Sequence, residues 1–545
     1  MLRDDTLPKL VGSATKPYLL IILDTIEKAG DEGSLLLTEI LVLVKDFENI
    51  KLLLLGETSR IKHWVLPSDV VRHDLLPLLE IQRRQAVSIL MGVAPSKVTI
   101  GIGKAAAIPA YFAMALEARH SGDQAEELLD ELLVVVAPEK DASDRITAQA
   151  FERLGDKSLH AAQTKLPSPI QIANPTLFVC SAIQRLLAAL HLVSLPVETA
   201  MALFHSNPLE MEPILRSLLV RLSTAGKSAD LIEGLIRGSG TNAQLGALLI
   251  SDFITESSKL RKQISGQMLA IIEESNLPVL QREKAGCVLS RLGDSRDLTA
   301  LATVPAGEFI LGDNIYPNSQ PPEKISLEGF RIGIYPVVNR DFSLFVRETG
   351  RDWQSPDGFV PEKQNAPATD LNWFDAMAYC AWLTRRWRLN GKINPNEHVR
   401  LPTEPEWERS SRGDQNSSGN GELIYPWGTR WQDDTANYEE LGMNARCSVG
   451  LFPKGRSPYG CYDMVGQVWE WCTTLWGEEM TTPSFRYPWA DDGREALDAP
   501  GEIRRVLRGG CFSSGRLKVC CTYRGSLEPA GFWRGNGFRI VVASG

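Results

Sequence analysis

Two stretches of sequence decide the fold of this chain: Arg400-Leu-Pro-Thr-Glu-Pro-Glu-Trp-Glu408 and Asp463-Met-Val-Gly-Gln-Val-Trp-Glu-Trp471. In the first stretch, Pro402 and Thr403 are residues that start a helix, and the glutamates that follow are favourable near its positive end. Arg400 can pair with such carboxylates through two parallel hydrogen bonds. The tryptophans of both stretches can bury large areas where regular structure is scarce. We therefore expect most of these residues to build the fold rather than a site.

Further motifs surround these two stretches. They are Val304-Pro-Ala-Gly-Glu-Phe-Ile-Leu-Gly312, Tyr335-Pro-Val-Val-Asn-Arg-Asp-Phe342, Leu371-Asn-Trp-Phe-Asp-Ala376, Tyr425-Pro-Trp-Gly428, Arg505-Val-Leu-Arg-Gly-Gly510 and Gly537-Phe-Arg539. Taken in this order, the motifs resemble the formylglycine-generating enzyme (sulfatase-modifying factor) family, whose corresponding signatures read RLPTEAEWE and DMxGNVWEW. The resemblance covers residues 303–545. It implies a large, irregular α+β domain of the C-type-lectin type.

The composition divides the chain near residue 300. Only Trp64 precedes this point and every other tryptophan follows residue 350, whereas His398 is the only histidine after it. Regions that differ this much predict separate domains. We expect a multidomain chain with a partial α/β region over residues 1–130, a helical region and linker helix over 131–300, and the lectin-like domain over 301–545.

Charge and hydropathy exclude two classes of partner. A net charge of -9 gives no electrostatic basis for binding nucleic acid. No run of about 18 apolar residues is present, so we expect no membrane span. The amino terminus lacks a signal-peptide pattern, and the nine cysteines are irregularly spaced, which suits a reducing compartment. We therefore predict a cytoplasmic protein.

Residues 17–60 show half of a nucleotide-binding pattern. The apolar runs Tyr18-Leu-Leu-Ile-Ile-Leu-Asp24 and Asn49-Ile-Lys-Leu-Leu-Leu-Leu55 flank a helix-patterned stretch over 35–47, which predicts two buried parallel strands. They resemble the second half of a STAND-type (NACHT-like) NTPase, with Asp24 at the magnesium-binding acid and Arg60 at the sensor. The pattern GxxxxGK[ST] occurs nowhere, so there is no phosphate cradle. We expect a nucleotide-free structural remnant; a STAND-type signalling protein is the alternative.

Residues 65–300 carry apolar side chains at helical spacing. The helical stretches are 75–91, 124–136, 176–192, 210–222 and 243–272. No repeat of fixed period is present, so we expect a helical spacer or interaction scaffold. Residues 281–294 predict a short amphipathic helix that ends at Gly293. A similar stretch stands at this junction in bacterial multidomain proteins with a NACHT module, which implies a bacterial protein.

The resemblance also implies a test for catalysis. The family's enzymes oxidise a substrate cysteine with copper(I), which two cysteine thiolates hold in a C-x4-C arrangement beginning four residues after the Gly-Gly. Ser514 stands at the first of these positions. Cys511, Cys520 and Cys521 are present but lie at other spacings, and the spacing of the ligands decides the geometry of a metal site. The iron-binding branch of the family uses several histidines, and His398 is alone here. We therefore expect a non-enzyme that requires no cofactor and no copper; a formylglycine-generating-type oxidoreductase is the alternative.

Three residues are candidate calcium ligands through the resemblance. Asn437 matches an asparagine ligand of the family, and Glu470 matches a ligand in the NVWEW motif. Gln467 replaces the family's asparagine. Glutamine can coordinate calcium through its amide oxygen but is one methylene longer.

Residues 511–536 read CFSSGRLKVCCTYRGSLEPAGFWRGN. Aromatic and basic residues separated by small ones are the composition of binding sites and paratopes. The segment resembles the variable proteins of diversity-generating retroelements, which use this fold and end in RVLRGG…GFR around a hypervariable interior. The resemblance implies a ligand-binding protein with a diversified surface. A fixed homologue whose surface residues have drifted is the other interpretation.

The predicted ligand contacts are the aromatic, charged and small residues of this segment. They are Phe512, Ser513, Ser514, Arg516, Lys518, Tyr523, Ser526, Leu527, Glu528, Phe532, Trp533 and Arg534. Such a mixed aromatic and basic surface fits a protein, a peptide or a glycan as ligand. We expect neither nucleic acid nor a membrane as partner.

Overall fold

The computed structural model describes residues 77–152, 154, 181–254, 259–414 and 424–544, together with two short strands nearer the amino terminus. The chain forms two compact units, Met1–Pro138 and Glu139–Gly545. The predicted division at residues 130 and 300 stays a prediction.

The first unit contains a pair of strands followed by helices. Strands β1 (Leu19–Leu23) and β2 (Ile50–Leu54) are parallel, as their sequence predicts, with all five residues of each strand paired. The helices are α1 (Glu80–Met91), α2 (Pro109–Ala118) and α3 (Ala125–Val136). Asp24, Arg60 and the predicted helix over 35–47 lie outside the described residues. The NTPase-like interpretation therefore stays a prediction.

The second unit begins with a helical region. Its helices are α4 (Lys140–Glu152), α5 (Ser181–Leu192), α6 (Val197–Ser206), α7 (Pro208–Thr224), α8 (Ala229–Leu235), α9 (Thr241–Ile250), α10 (Arg261–Glu274) and α11 (Val279–Leu292). Leucines, isoleucines and alanines from α5 to α11 share one apolar core. The helical character that the apolar spacing predicts is confirmed for this region.

The predicted helical stretch over 243–272 contains two helices rather than one. The chain instead forms α9 and α10, and a short 3-10 turn over Ser251–Phe253 follows α9. The Ser251 hydroxyl donates to the Leu248 carbonyl at 2.8 Å. A serine that bonds to a preceding carbonyl competes with the helical pattern, and the apolar spacing does not reveal this.

Helix α11 is packed against the C-terminal domain, which comprises residues 301–544. Its Arg282 side chain is 1% exposed, bonds to Asp434 and to the Leu451 carbonyl, and lies over the Phe452 ring. Glu283 accepts a hydrogen bond from the Ser448 amide at 2.7 Å. The sequence predicts this helix and its end at Gly293, but not its burial against residues 434–452.

The C-terminal domain contains two four-stranded sheets, a hairpin and three helices. The strands are β3 (Leu301–Val304), β4 (Gly307–Leu311), β5 (Glu323–Leu327), β6 (Phe330–Gly333), β7 (Glu397–Arg400), β8 (Trp469–Gly477), β9 (Arg504–Arg508), β10 (Arg524–Leu527), β11 (Asn536–Gly537) and β12 (Val541–Ser544). The helices are α12 (Asn339–Thr349), α13 (Trp373–Leu389) and α14 (Glu404–Arg412). Long stretches between these elements have no regular structure. The predicted irregular α+β domain is confirmed.

The sheet order places the end of the domain beside its beginning. One sheet has the order β3-β6-β12-β7, in which β12 pairs antiparallel with both β6 and β7. The other has the order β10-β9-β8-β11, and β4 pairs with β5. Trp407 and Trp471, from the two deciding stretches, are fully buried. Residues 511–536 connect β9 to β11, so the second sheet holds both ends of this segment.

Candidate functional site

A network of buried ion pairs lies beside residues 511–536. Helix α14 supplies Glu404 and Glu408, β9 supplies Arg508, and β10 supplies Arg524. Arg524 bonds to both oxygens of Glu404, at 2.7 and 2.8 Å. Arg508 lies 3.0 Å from Glu404 and 2.5 Å from Glu408. Burial acts to raise the pKa of Glu404, but Arg524 and Arg508 outweigh it and hold that pKa below its ordinary value.

The start of α14 follows from its sequence. Thr403 caps the helix, because its hydroxyl accepts from the Glu406 amide at 3.3 Å while Glu406 accepts from the Thr403 amide at 2.8 Å. Arg400 bonds to both oxygens of Glu406 at 2.7 Å. The predicted helix start and the predicted pairing of Arg400 are confirmed. The first turn of α14 thus presents Glu404 to the arginines of the network.

Backbone hydrogen bonds fix the main chain of residues 511–536. The amide-to-carbonyl pairs are Phe512 to Gln467, Glu439 to Ser514, Cys521 to Ile424, Trp373 to Pro529 and Trp469 to Gly535, with distances from 2.8 to 3.2 Å. Gly509 and Gly510 lead into the segment with φ of 95° and 76°, which favours glycine. Because every residue has a carbonyl, and every residue but proline an amide, these bonds depend little on which side chains the segment carries.

Most of the predicted contacts reach solvent. The exposed ones are Ser513, Arg516, Lys518, Glu528, Phe532, Trp533 and Arg534, and the half-buried ones are Tyr523, Ser526 and Leu527. Phe532 is 64% exposed and Trp533 is 41% exposed, which is unusual for large apolar side chains. Their role as ligand contacts stays a prediction.

Two of the predicted contacts are corrected by the structure. Phe512 is 2% exposed and lies under the Arg534 guanidinium, 5.5 Å from its ring centre. Ser514 is 7% exposed, and its hydroxyl accepts from the Cys511 amide at 3.1 Å, which closes a turn. Neither side chain presents itself to a ligand in this conformation. Leu517, which the sequence analysis left out, is 76% exposed.

Aromatic residues outside the segment extend its exposed surface. Tyr523 packs edge-on against Tyr316, with ring centres 5.2 Å apart. Arg516 lies 5.7 Å from the centre of the Trp431 ring, and Trp431 in turn meets the edge of the stacked pair Tyr425 and Trp427. The Tyr-Pro-Trp-Gly motif signals part of this cluster, but the sequence assigns it only to the fold.

Protein groups hold two of the three candidate calcium ligands, Glu470 and Gln467, whereas the buried amide oxygen of Asn437 has no hydrogen-bond partner among the described residues. Their role as calcium ligands stays a prediction. Arg539 bonds to both oxygens of Glu470, at 2.7 and 2.9 Å, and Trp407 donates to one of them at 2.7 Å. The Gln467 amide oxygen accepts from Asn437 at 2.9 Å. Glu470 is the only carboxylate among the three candidates, and the buried Arg539 guanidinium neutralises it, which disfavours a divalent cation there. Across the described residues, no cluster of three or more His, Cys, Asp or Glu is arranged to hold a metal ion.

The three cysteines of the segment are buried. Burial raises the pKa of the Cys521 thiol to about 12, and its sulfur lies 3.0 Å from the Ser411 hydroxyl. Burial also raises the pKa of Cys520. Cys511 lies 3.4 Å from the Ser514 hydroxyl. Because the thiolate is the metal-binding form, these surroundings oppose metal binding unless the metal itself displaces the protons.

The C-terminal domain is similar to a group of known proteins. Residues 292–544 match the sulfatase-modifying factor enzyme 1-like domain. Inactive C-alpha-formylglycine-generating enzyme 2 of Bos taurus is 30% identical over 229 residues, which are 31% of this chain and 69% of the relative. The formylglycine-generating enzyme of Mus musculus is 25% identical over 310 residues, 45% of this chain and 75% of the relative. The solved structure of Treponema denticola variable protein 1 matches 44% of this chain and 94% of its own, with 21% identity and a TM-score of 0.33.

These comparisons correct one expectation. The prediction that the chain is not an enzyme is contradicted, because a formylglycine-generating enzyme is among the relatives that share this domain. The displaced cysteine spacing shows only that copper ligands do not stand at the expected positions. In the part of the chain that the structure describes, no helix has the length and apolar character to cross a membrane. The cytoplasmic location stays a prediction.

Proposed function

The chain belongs to the sulfatase-modifying factor (formylglycine-generating enzyme) family through residues 292–544, and from this premise we propose that segment 511–536 is a ligand-binding surface of the diversity-generating-retroelement type. The ligand is a protein, a peptide or a glycan. Neither nucleic acid nor a lipid surface is the partner, since the net charge of -9 opposes polyanions.

One observation carries this proposal: the segment combines a fixed main chain with freely presented side chains. Leu517, Phe532 and Trp533 are 76%, 64% and 41% exposed. They stand among exposed Arg516, Lys518 and Arg534, while backbone bonds hold the chain on both sides. Large aromatic and basic side chains on a rigid support supply contact area at a low entropic cost, as in paratopes.

Sequencing tests the proposal. The neighbourhood of the gene is searched for a near-copy of the codons for residues 511–536, differing mainly at adenines, beside a reverse transcriptase. The gene is also sequenced from many independent isolates. We expect substitutions at the exposed positions 513, 516, 517, 518 and 532–534, and constancy at the buried positions 511, 512, 514 and 524. Leu389, which is 87% exposed on α13, is the matched control and should not share this variation.

The outcome that contradicts diversification is specific. Diversification is contradicted if the neighbourhood of the gene holds no near-copy of the codons for residues 511–536, and if the isolates vary no more at positions 513–534 than around Leu389. The segment would then be a fixed surface, and the second candidate function would take precedence.

That second candidate is a formylglycine-generating-type oxidoreductase. The observation that favours it is the relative that carries this activity, together with Cys511, Cys520 and Cys521 in the same segment. The purified chain is titrated with copper(I) against a chromogenic chelator, and a cysteine-containing peptide is examined for oxidation by mass spectrometry. Cys520→Ser and Cys521→Ser should abolish both signals if this function holds. Cys287→Ser, on α11, is the control that should change neither.

A further inference from the structure

A cavity of about 610 Å³ opens between α13, β7 and the loop that follows β8. None of its lining residues belongs to segment 511–536. Buried Cys380, Thr384, Val399 and Thr473 form its floor. Its mouth carries exposed Ala381, Arg385, Arg388 and Leu497, with Met377 between floor and mouth. The size is that of sites for small molecules, which are mostly apolar with a few placed polar groups.

Helix α13 lines this cavity with one continuous face. Residues 377, 380, 381, 384, 385 and 388 recur at spacings of three and four, and all six contribute to the wall. This spacing places residues on one side of a helix. Of the six, Cys380 and Thr384 are buried and the two arginines are exposed at the mouth, so the wall becomes cationic towards the solvent.

The mouth of the cavity carries positive charge that no acid neutralises. Arg385 makes no hydrogen bond or ion pair within the described residues, and Arg388 donates only from Nε, to the Glu397 carbonyl at 2.9 Å. His398 lies beside them, and its pKa is lowered by burial and then by Arg400 and Arg388. Burial is the largest cause of this shift, and the positive charge of the arginines adds to it.

One carboxylate lines the cavity, and its charge is weakened. Glu495 has no ion pair within 4 Å among the described residues and accepts hydrogen bonds from the hydroxyls of Thr473 and Thr474, at 2.6 and 2.5 Å. Burial, followed by the repulsion of Glu406 and Glu404, raises the pKa of Glu495 to about 7. The Arg400 side chain is bound by Glu406. Apart from Glu495, the charges at the cavity that no described ion pair neutralises are those of Arg385 and Arg388.

We propose that this cavity binds a small organic anion: an apolar body that enters between Met377, Ala381 and Leu497, with a carboxylate or sulfonate that pairs with Arg385 and Arg388. Guanidinium groups bind such groups through paired, charge-assisted hydrogen bonds. An organic cation of the same size would meet two arginines at the mouth, and Glu495 is the one carboxylate that lines the cavity. The proposal is independent of the function proposed for segment 511–536, because the two sites share no residue.

The experiment uses the fluorescent anion 8-anilinonaphthalene-1-sulfonate and its neutral analogue N-phenyl-1-naphthylamine, each titrated into the full chain. We expect saturable binding of the anion at one site. The double variant Arg385→Ala/Arg388→Ala should weaken it by about tenfold or more, since two charge-assisted contacts are lost. The neutral analogue should bind more weakly and should not distinguish this variant from the parent. Ala381→Trp, which fills the cavity, should remove the binding of both probes.

Two controls separate the cavity from other surfaces. Arg386 lies on the same helix but pairs with Glu348 at 2.7 Å and does not line the cavity, so Arg386→Ala should leave the affinity unchanged. Phe532→Ala/Trp533→Ala tests whether the probe binds segment 511–536 instead. The proposal is overturned if only the latter variant lowers the affinity, if Arg386→Ala weakens binding as much as the double variant, or if both probes bind equally well. Circular dichroism confirms that each variant is folded.

Discussion

Arg524 and Arg516 lie eight positions apart in the same segment and have opposite roles. Arg524 is 4% exposed and bonds to both oxygens of Glu404. Arg516 is exposed, and its guanidinium lies over the Trp431 ring, 5.7 Å from the ring centre. The difference shows that residues 511–536 contain two kinds of residue. Buried residues such as Arg524 form a support that holds the segment to the domain, and exposed residues such as Arg516 form a face that reaches solvent. Both residues are arginines, so the residue type does not decide whether a residue belongs to the support or to the face. The presence of a buried partner such as Glu404 decides it.

The energetic consequences of this difference are large. Removing one partner of a buried ion pair leaves a charge without compensation in a medium of low polarity, whereas exposed charges are screened by water. Variants of the buried residues should therefore lower the free energy of unfolding strongly, and variants of the exposed residues should change it little.

The largest effect is expected from Glu404→Gln. This change leaves Arg524 and half of the Arg508 guanidinium without a carboxylate, so the free energy of unfolding should fall by about 3–5 kcal/mol. Urea unfolding followed by tryptophan fluorescence measures it. Glu440→Gln is the control, because Glu440 accepts only from the exposed Arg516 amide. Equal effects of the two changes would remove the distinction between support and face.

A smaller effect is expected from Arg282→Met in helix α11. Arg282 is buried like Arg524, but its partner Asp434 is partly exposed and keeps Lys454 at 3.5 Å. Water and Lys454 can therefore compensate Asp434, and the loss should be about 2 kcal/mol. Arg237→Met, in an exposed pair with Glu233, is the control. If Arg282→Met is as mild as this control, helix α11 does not support the domain.

Glu495 sharpens the comparison, because hydroxyls rather than arginines hold this carboxylate. Its pKa in the folded chain is raised to about 7, above the ordinary value of about 4.3 for an unfolded glutamate. The folded state therefore holds the proton more tightly, and this group's contribution to stability falls as pH rises from about 4.3 to about 7. In Glu495→Gln the side chain has no titrating carboxyl, so the variant should not lose this contribution to stability as pH rises.

The measurement is the free energy of unfolding of parent and Glu495→Gln at pH 5 and pH 8. Relative to the parent, the variant should gain about 1–2 kcal/mol between the two pH values, allowing for the partial exposure of the group. Glu406→Gln at the same two pH values is a contrasting case, because Arg400 pairs with that carboxylate. A pH-independent difference for Glu495→Gln would show that its burial does not affect its protonation.

The smallest effects on stability are expected on the face itself. Phe532→Ala and Trp533→Ala should each change the free energy of unfolding by less than about 1 kcal/mol, since Phe532 is mostly and Trp533 partly in solvent. Phe512→Ala, in the same segment but buried, should cost about 3 kcal/mol or more. Thermal unfolding of the three variants makes this comparison directly. A large loss from Trp533→Ala would place Trp533 in the support.

Local features of the sequence predict much of this domain. The threonine and glutamates of residues 403–406 contain the helix cap within four positions, so the start of α14 and the pairing of Arg400 can be predicted. The motifs on either side of residues 511–536 locate the segment in the same way. In each case the residues that interact are close in the chain or belong to a motif with a known order.

Features that depend on distant partners could not be predicted. Arg282 and Asp434 are 152 positions apart, and Glu404 and Arg524 are 120 positions apart. Nothing near Glu470 in the sequence indicates that Arg539 will neutralise its carboxylate. Phe512 has the composition of a contact residue, and only the fold shows that it points inward. The cavity beside α13 likewise forms only where this helix, strand β7 and the distant loop after β8 come together, and no local pattern of the sequence shows that.

The backbone bonds that hold residues 511–536 have a consequence for how this protein can change over generations. A mutation that alters an exposed side chain there leaves the amide and carbonyl groups in place, so the altered chain still folds. Natural selection can then act on what the new surface recognises, without first removing most variants as misfolded. A segment built in this way can evolve quickly while the rest of the domain stays nearly constant.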